Sequence, residues 1–195
     1  MKIISWEEIL NGKTFFADSG SALTVGSFDG PHKGHYEIFK KVLAYSKEKG
    51  TTPVIVTFTR SLTGIKHADD YMGDISSLHK RLLIFEALGF KYCLLIDFSD
   101  DFAKLKGEEF FAILKNQLNM RYVCEGEDFS CGNKGSFNAE LIKAWAEKNN
   151  VNPEFIELVK YNGKRISSSD IRTLLCEHQN KKAESLLIDT VSRIQ

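Results

Sequence analysis

Long apolar runs are missing from this 195-residue sequence. The segment from Met1 to Glu8 contains no signal-peptide core, and no later stretch approaches the roughly 20 apolar residues that cross a bilayer. We therefore expect a soluble protein that stays in the cytoplasm.

An excess of either charge is also missing. Lys plus Arg and Asp plus Glu each total 26, so the formal net charge at pH 7 is zero. Proteins that bind nucleic acids or membrane surfaces without specificity usually carry an excess of basic residues. We expect no nucleic acid, no membrane and no obligate protein partner, and an anionic ligand must be bound by a few well-placed groups.

Cysteine is scarce, and its spacing is uninformative. The four cysteines are scattered and form no CxxC pair, which argues against a zinc ribbon and a thioredoxin-like motif. The sequence also lacks internal repeats, low-complexity tracts and a Pro-rich linker. We expect a single domain over residues 1–195, with no metal site built from its side chains.

What the sequence does contain is an alternation of short apolar strands with amphipathic helices. Strands are predicted at about 22–25, 53–58, 92–96, 121–124 and 155–159. Apolar residues recur at helical spacing after the first four, and two short helices near 170–176 and 181–187 look like a C-terminal cap. This pattern predicts an α/β fold with a Rossmann-like parallel sheet covered by helices on both faces.

A glycine-rich turn with two histidines follows the first predicted strand, in the segment GSFDGPHKGH from Gly26 to His35. Ligands of open α/β sheets bind beyond the carboxyl ends of the strands, and a helix N-terminus favours phosphate. His32 and His35 are three residues apart, so both face one side of the opening helical turn. The segment is neither a Walker A loop nor a GxGxxG fingerprint. A plain turn or a pair of zinc ligands is the alternative.

A second group of polar residues occurs late in the chain, in RISSSDIR from Arg165 to Arg172. Ser168 or Ser169 can cap a helix, and Arg172 lies about one turn further on. Hydroxyls, backbone N–H groups and a guanidinium together suit the outer phosphates of a nucleotide. Taken alone, the segment is also typical of an ordinary capped helix.

A third segment, GEDFSCG from Gly126 to Gly132, follows the fourth predicted strand and by itself could be a solvated acidic loop. This segment and the two described above occur in a fixed order along the chain. The HxGH pattern from His32 to His35 is similar to the signature of the nucleotidyltransferase superfamily. The chain resembles the FMN adenylyltransferase module of prokaryotic FAD synthetases, with GxFDGxHxGH, GxDFxFG and ISSxxIR motifs, from about Leu23 to about Leu187.

The resemblance implies a nucleotidyltransferase fold and an enzyme, a FAD synthetase that transfers AMP from ATP to FMN with Mg²⁺. It implies that the FMN phosphate attacks the α-phosphorus in line and that no protein nucleophile is needed. The catalytic residues would be His32, His35, Ser168 and Arg172. Nucleotide or flavin would be bound by Gly26, Ser27, Phe28, Asp29, Gly30, Gly34, Gly126, Asp128, Phe129, Ile166 and Ser167.

The sequence departs from that family at three places. Thr59 to Leu62 stand where a Pro-His-Pro loop is usual, and Cys131 replaces the second aromatic residue of GxDFxFG. The usual riboflavin kinase barrel does not follow, so we expect no riboflavin kinase domain and no riboflavin phosphorylation. Two alternatives remain open: a nucleotidyltransferase for another phosphorylated acceptor, and a non-catalytic paralogue that binds nucleotide or flavin.

Overall fold

Six parallel strands form the main sheet in a computed structural model that describes residues 1–60, 73–157, 159–161 and 163–188. The strands of this sheet are β1 (Lys2–Ser5), β2 (Ser21–Val25), β3 (Thr52–Phe58), β4 (Tyr92–Ile96), β5 (Met120–Gly126) and β8 (Asn152–Ile156). Their order across the sheet is β1-β4-β3-β2-β5-β8. From β2 the chain builds the sheet in one direction through β3 and β4, and then returns to add β5 and β8 on the other side. The reversal makes the gap between β2 and β5 the topological switch point, where open α/β sheets bind ligands.

Helices pack on both faces of this sheet, as predicted. They are α1 (Trp6–Leu10), α2 (Lys33–Lys49), α3 (Leu78–Leu88), α4 (Asp100–Lys104), α5 (Gly107–Gln117), α6 (Ala139–Lys148), α7 (Ser168–Cys176) and α8 (Asn180–Leu186). One apolar cluster joins a sheet face to α1, α5 and α6, and a second joins the opposite face to α2 and α3. Amphipathic helices of this kind are stabilised mainly by burying their apolar stripe against the strands.

The C-terminal helices α7 and α8 pack on each other through a small apolar cluster that includes Ile171 and Leu186. After α8 the chain returns to the loop that precedes α2. Leu187 forms an antiparallel bridge with His32, and the Ile188 N–H donates to the Pro31 carbonyl at 2.9 Å. The predicted C-terminal helical region is therefore confirmed, and it holds the loop that carries the histidines.

In the part of the chain that the structure describes, two short hairpins lie outside the main sheet. The first consists of β6 (Ser130–Cys131) and β7 (Phe137–Asn138), and the second of β9 (Lys160–Tyr161) and β10 (Lys164–Arg165). The first continues the Gly126 to Gly132 segment, and the second leads into α7. Both hairpins therefore support segments that the sequence singled out.

The fifth predicted strand, at 155–159, was placed too late. The ladder between β5 and β8 runs from Tyr122 opposite Asn152 to Gly126 opposite Ile156, so Glu157 and Val159 belong to the loop beyond it. The first residues of β8 are polar and include Pro153, so the start of this strand shows no hydrophobic pattern. Proline is tolerated there because β8 pairs with a single strand, β5, in the described sheet.

No helix within the described ranges is both long enough and apolar enough to cross a membrane.

Candidate active site

A cavity of about 440 Å³ opens at the switch point, beyond the carboxyl ends of β2 and β5. It collects all three segments that the sequence singled out, although they are far apart in the chain. Of the fifteen predicted site residues, fourteen line it. These are Gly26, Ser27, Phe28, Asp29, His32, Gly34, His35, Gly126, Asp128, Phe129, Ile166, Ser167, Ser168 and Arg172.

Gly30 is the predicted site residue that does not line this cavity. Its φ is +62°, and a Cβ atom there would lie 2.4 Å from the side chain of Ile75. Its N–H donates to Ser76 Oγ at 3.0 Å. Gly30 is therefore a tight-turn residue, required by its positive φ and by close packing rather than by contact with the cavity.

The two histidines cap α2 and stack on each other. The Nδ1 atom of His32 accepts from the His35 N–H at 3.3 Å, and the Nδ1 atom of His35 faces the His32 N–H at 3.5 Å. Their ring centroids are 3.6 Å apart, with 17° between the ring planes. This is a capping box in which imidazoles replace the usual hydroxyl and carboxylate groups.

This arrangement fixes the tautomer of both neutral rings. An Nδ1 atom that accepts a hydrogen bond carries no proton, so the proton of each neutral imidazole resides on Nε2. Burial, and then the nearby Arg165 guanidinium, lower the pKa of His32 to about 4. Burial, and then His32, hold the pKa of His35 well below its ordinary value. At neutral pH both rings are therefore neutral Nε2–H donors.

Close packing keeps these rings in place. Phe28 adopts a φ of +45° and lies edge-on to His35, with ring centroids 5.1 Å apart. A Cβ atom on Gly34 would lie 3.0 Å from the His32 ring, and one on Gly26 would lie 2.8 Å from the Phe28 ring. The two glycines therefore leave the space that the aromatic rings occupy.

Helix α7 begins at the opposite wall of the cavity. Its N-cap is Ser167 and not Ser168 or Ser169 as predicted, because the helix already begins at Ser168 and the Ser167 Oγ accepts from the Asp170 N–H at 3.1 Å. Ser168 Oγ donates to the Asp29 carbonyl at 2.9 Å, which links α7 directly to the loop after β2. The positive end of the α7 dipole and its hydroxyls therefore border the space that the histidines face.

A buried ion pair makes a second link between these segments. Arg172 Nη2 lies 2.6 Å from Asp29 Oδ2, and both side chains are almost completely buried. Asp29 also accepts from the backbone N–H groups of Ile75 and Ser76, and Arg172 Nε donates to the Gly73 carbonyl at 3.2 Å. Arg172 is therefore held in a fixed orientation beside the cavity.

Asp128 and Arg165 form an ion pair at a more exposed part of the cavity wall. The pair connects the loop after β5 to the segment before α7. The sequence suggested Asp128 but not Arg165, which lies at the edge of the ISSxxIR pattern. Since this guanidinium also lowers the pKa of His32, it adds positive charge on the histidine side.

A second cavity, of about 610 Å³, lies next to the first. Val25, Gly26, Phe129 and Ser130 border both cavities. The second is mainly apolar, with the rings of Phe58, Phe98, Phe102 and Phe110 in its wall. The sequence motifs include Phe129 but not these four residues, because their aromatic patterns also fit ordinary core packing.

Two buried ionisable residues near the cavities were also not predicted. Arg81 of α3 is 1% exposed and donates to the carbonyls of Ser27, Phe58 and Thr59, so it ties the ends of β2 and β3 together. Glu125 of β5 is 2% exposed and lines the first cavity. Arg81 lies within a helix and Glu125 within a strand, and neither belongs to a recognisable sequence motif.

The described residues contain no group of three or more His, Cys, Asp or Glu side chains that could hold a metal ion. Burial raises the pKa of the Cys93, Cys124 and Cys131 thiols to about 12, so none of these three is a ready nucleophile. Ser61 and Leu62, in the segment that replaces the Pro-His-Pro loop, lie outside the described residues.

Comparison with known proteins gives consistent results. The family described as FAD synthetase matches residues 16–170. The bifunctional riboflavin kinase/FMN adenylyltransferase of Buchnera aphidicola subsp. Schizaphis graminum is 27% identical over 172 residues, which are 87% of this chain and 55% of that protein. The FAD synthetase of Listeria monocytogenes is 25% identical over 171 residues, which are 87% of this chain and 70% of that protein. The chain spans about half the length of the bifunctional relatives that it matches.

Among solved structures, a crystal structure described as a macrolide-efflux protein from Streptococcus pneumoniae is similar in fold. The TM-score is 0.81 and the sequence identity 25%, and the similarity covers 95% of this chain and 60% of that one.

Proposed function

Because the chain belongs to the FAD synthetase family, we propose that it transfers AMP from MgATP to the phosphate of FMN and releases FAD and pyrophosphate. The observation that carries this proposal is the shared cavity. His32, His35 and the start of α7 border one space, and an aromatic cavity adjoins it through a common wall. A nucleoside triphosphate and a flat aromatic acceptor need two such compartments.

The chemistry requires positioning and charge stabilisation rather than a covalent intermediate. In an in-line attack by the FMN phosphate, negative charge spreads over the phosphoryl oxygens of ATP. The Nε2–H groups of His32 and His35 donate to oxygens of the α- and β-phosphates. They are held by the capping box before substrate arrives, so little reorganisation is needed.

The outer phosphates lie against the start of α7. Ser167 and Ser168 contribute hydroxyls and helix N–H groups, and Arg172 contributes positive charge at the β- and γ-phosphates. Since Arg172 is already bound to Asp29, it acts from a fixed position and also keeps the two phosphate-binding segments together. Mg²⁺ enters as part of the MgATP substrate, because this ion is usually held by phosphates and water with few protein ligands.

The flavin ring occupies the aromatic cavity. Phe58, Phe98 and Phe102 provide apolar surface for the isoalloxazine, and Phe129 lies at the boundary with the phosphate side. Cys131, which replaces a family aromatic residue, also lines this cavity and leaves additional room there. The aromatic wall favours FMN over an acceptor such as glycerol phosphate, which has no planar ring to bury.

Incubation of the purified protein with ATP, Mg²⁺ and a panel of acceptors tests this proposal. We expect equimolar FAD and pyrophosphate from FMN, and no pyrophosphate from pantetheine phosphate, nicotinamide mononucleotide or glycerol phosphate. Pyrophosphate release with another acceptor alone would change the substrate assignment. Binding of ATP and FMN without product would support a non-catalytic role.

A further inference from the structure

Glu125 lies where β2 and β5 separate. Direct pairing of these strands ends at Leu23 opposite Val123, so the backbone groups beyond this pair lose that strand partner. The Glu125 side chain fills the gap: its Oε1 accepts from the Val25 N–H at 2.6 Å, and its Oε2 lies 3.2 Å from Thr24 Oγ1. A side chain thus replaces the missing strand ladder at the floor of the cavity.

A carboxyl group in this place is unexpected on electrostatic grounds. It is 2% exposed and lines a cavity whose proposed ligand is a polyanion. Burial raises the pKa of Glu125 well above its ordinary value, which favours the neutral acid. The Val25 N–H and the Thr24 hydroxyl both donate to this carboxyl group, and in its neutral form it does not repel a phosphate as a carboxylate would.

Val25 and Glu125 each lie just before a loop that borders the cavity. The residue after Val25 is Gly26, which starts the loop leading to the histidines. The residue after Glu125 is Gly126, the last residue of β5, and the loop with Asp128 and Phe129 follows it. The hydrogen bond from the Val25 N–H to Glu125 therefore joins the two strands just before these loops, and Val25 itself borders both cavities.

We propose that Glu125 is a positioning residue. It sets the spacing between the loop after β2, which leads to the histidines, and the loop after β5, which contains Asp128 and Phe129, so that the acceptor phosphate lies in line with the α-phosphorus. This inference rests on the proposed function for its effect on rate. Displacement by about 1 Å can cost on the order of a hundredfold in rate, while contacts made within each cavity survive. The effect should therefore fall on turnover more than on the binding of either substrate alone.

Three variants test this inference. Glu125→Leu removes both hydrogen bonds, and we expect kcat to fall at least about tenfold while the separate Kd values for ATP and FMN change by less than about threefold. Glu125→Gln keeps an oxygen that accepts from the Val25 N–H, and its amide N–H can donate to Thr24 Oγ1 once that hydroxyl rotates, so it should keep kcat within about threefold of wild type. Glu154→Leu is the matched control: Glu154 lies on the adjacent strand β8, bonds Tyr122 and Lys41, and lines neither cavity. It should leave kcat unchanged.

Wild-type kcat in Glu125→Leu would overturn the inference. So would an equal loss in Glu125→Leu and Glu125→Gln, which would instead assign a role to the ionised charge. Hydrogen exchange at the Val25 amide provides a second measurement, independent of catalysis: protection should be lost in Glu125→Leu and retained in Glu125→Gln. If the wild type makes no FAD, the proposed function fails, and this exchange pattern together with unaltered binding of each ligand still decides whether Glu125 joins the loops.

Discussion

Neutral imidazoles are suited to phosphate chemistry here because their free N–H groups are fixed in advance. The capping box occupies both Nδ1 atoms, and the stacked rings hold each other in place. A donor fixed before the reaction contributes to the transition state without an ordering cost in that step. At the scale of single residues, the account therefore depends on the Nε2–H groups of His32 and His35.

Substitution of His35 tests this dependence. His35→Ala should lower kcat about a hundredfold, the scale seen when one transition-state donor is removed. His35→Gln places an amide N–H near the original Nε2 and should lose no more than about tenfold, whereas His35→Asn places its amide near Nδ1 and should behave like alanine. Steady-state FAD formation measures all three. Wild-type turnover in His35→Ala would remove this histidine from the mechanism.

The lowered pKa values predict a pH-dependent stability. An unfolded histidine takes up a proton below about pH 6.5, whereas the folded His32 remains neutral to about pH 4. Between these values the unfolded chain binds more protons, so the free energy of unfolding falls as the pH is lowered from about 7 to about 5. Urea denaturation at both pH values measures this loss.

The matched variant for this measurement carries His32→Asn together with His35→Asn. Asparagine is among the preferred N-cap residues, so the helix keeps its start while the two titrating groups are removed. The loss of stability on acidification should be smaller in this variant than in wild type. An identical loss in both proteins would show that the histidines titrate normally in the folded state.

The sequence could mark single residues only where a motif fixes local geometry, and the roles assigned to these residues stay predictions. The histidine spacing, Ser167 and Arg172 were all visible as parts of short patterns, and the structure places them around one cavity. Glu125 and Arg81 could not be found in this way, because each acts through hydrogen bonds to strand ends that are distant from it in the sequence. Gly30 matched the pattern but supports the turn instead of lining the cavity.

At the scale of elements, the cavity depends on the link between α7 and the loop after β2. The link consists of the Arg172–Asp29 ion pair and the hydrogen bond from Ser168 to the Asp29 carbonyl. Both groups of the ion pair are out of water, so the loss of one partner leaves a buried charge.

Removal of one partner should therefore destabilise the fold strongly. Arg172→Met should lower the free energy of unfolding by on the order of 3 kcal/mol. Adding Asp29→Asn to that variant should cost less than Asp29→Asn costs in the wild type, because Arg172 is then already gone and no buried guanidinium loses its carboxylate. Urea denaturation of the two single variants and the double variant measures this coupling. Additive losses would show that the two residues do not act as a pair.

The strands that could be predicted from the sequence are those with a clear run of buried apolar residues. Strands β2, β3 and β4 are buried, β-rich runs, and their observed bounds match the prediction within one residue. The edge strand β1 was missed because four residues with a single buried side chain, Ile4, carry no periodic signal. Pairing partners decide the bounds of such strands, and these partners are distant in sequence.

At the scale of the whole molecule, the switch point explains why distant segments share one site. The strand order places the ends of β2 and β5 side by side, and α7 returns over them. The result is two adjoining compartments of different chemistry, one polar and one aromatic. Substitutions confined to one compartment should affect one substrate.

Phe98→Ala tests this separation. Phe98 lines the aromatic cavity but not the polar one, so its loss should raise the KM for FMN by about tenfold and leave the KM for ATP unchanged. Phe15→Ala is a suitable control, because Phe15 is a partly buried ring that lines neither cavity. Equal changes in both KM values for Phe98→Ala would contradict the two-compartment account.

Transfer of label from ATP is the sharpest test of the proposed AMP transfer to FMN. With ATP radiolabelled at the α-phosphate, FMN and Mg²⁺, the wild-type protein should place the label in FAD and release unlabelled pyrophosphate, and His35→Ala should transfer it about a hundredfold more slowly. Label that remains in ATP, or that appears in free AMP without FAD, would contradict the account.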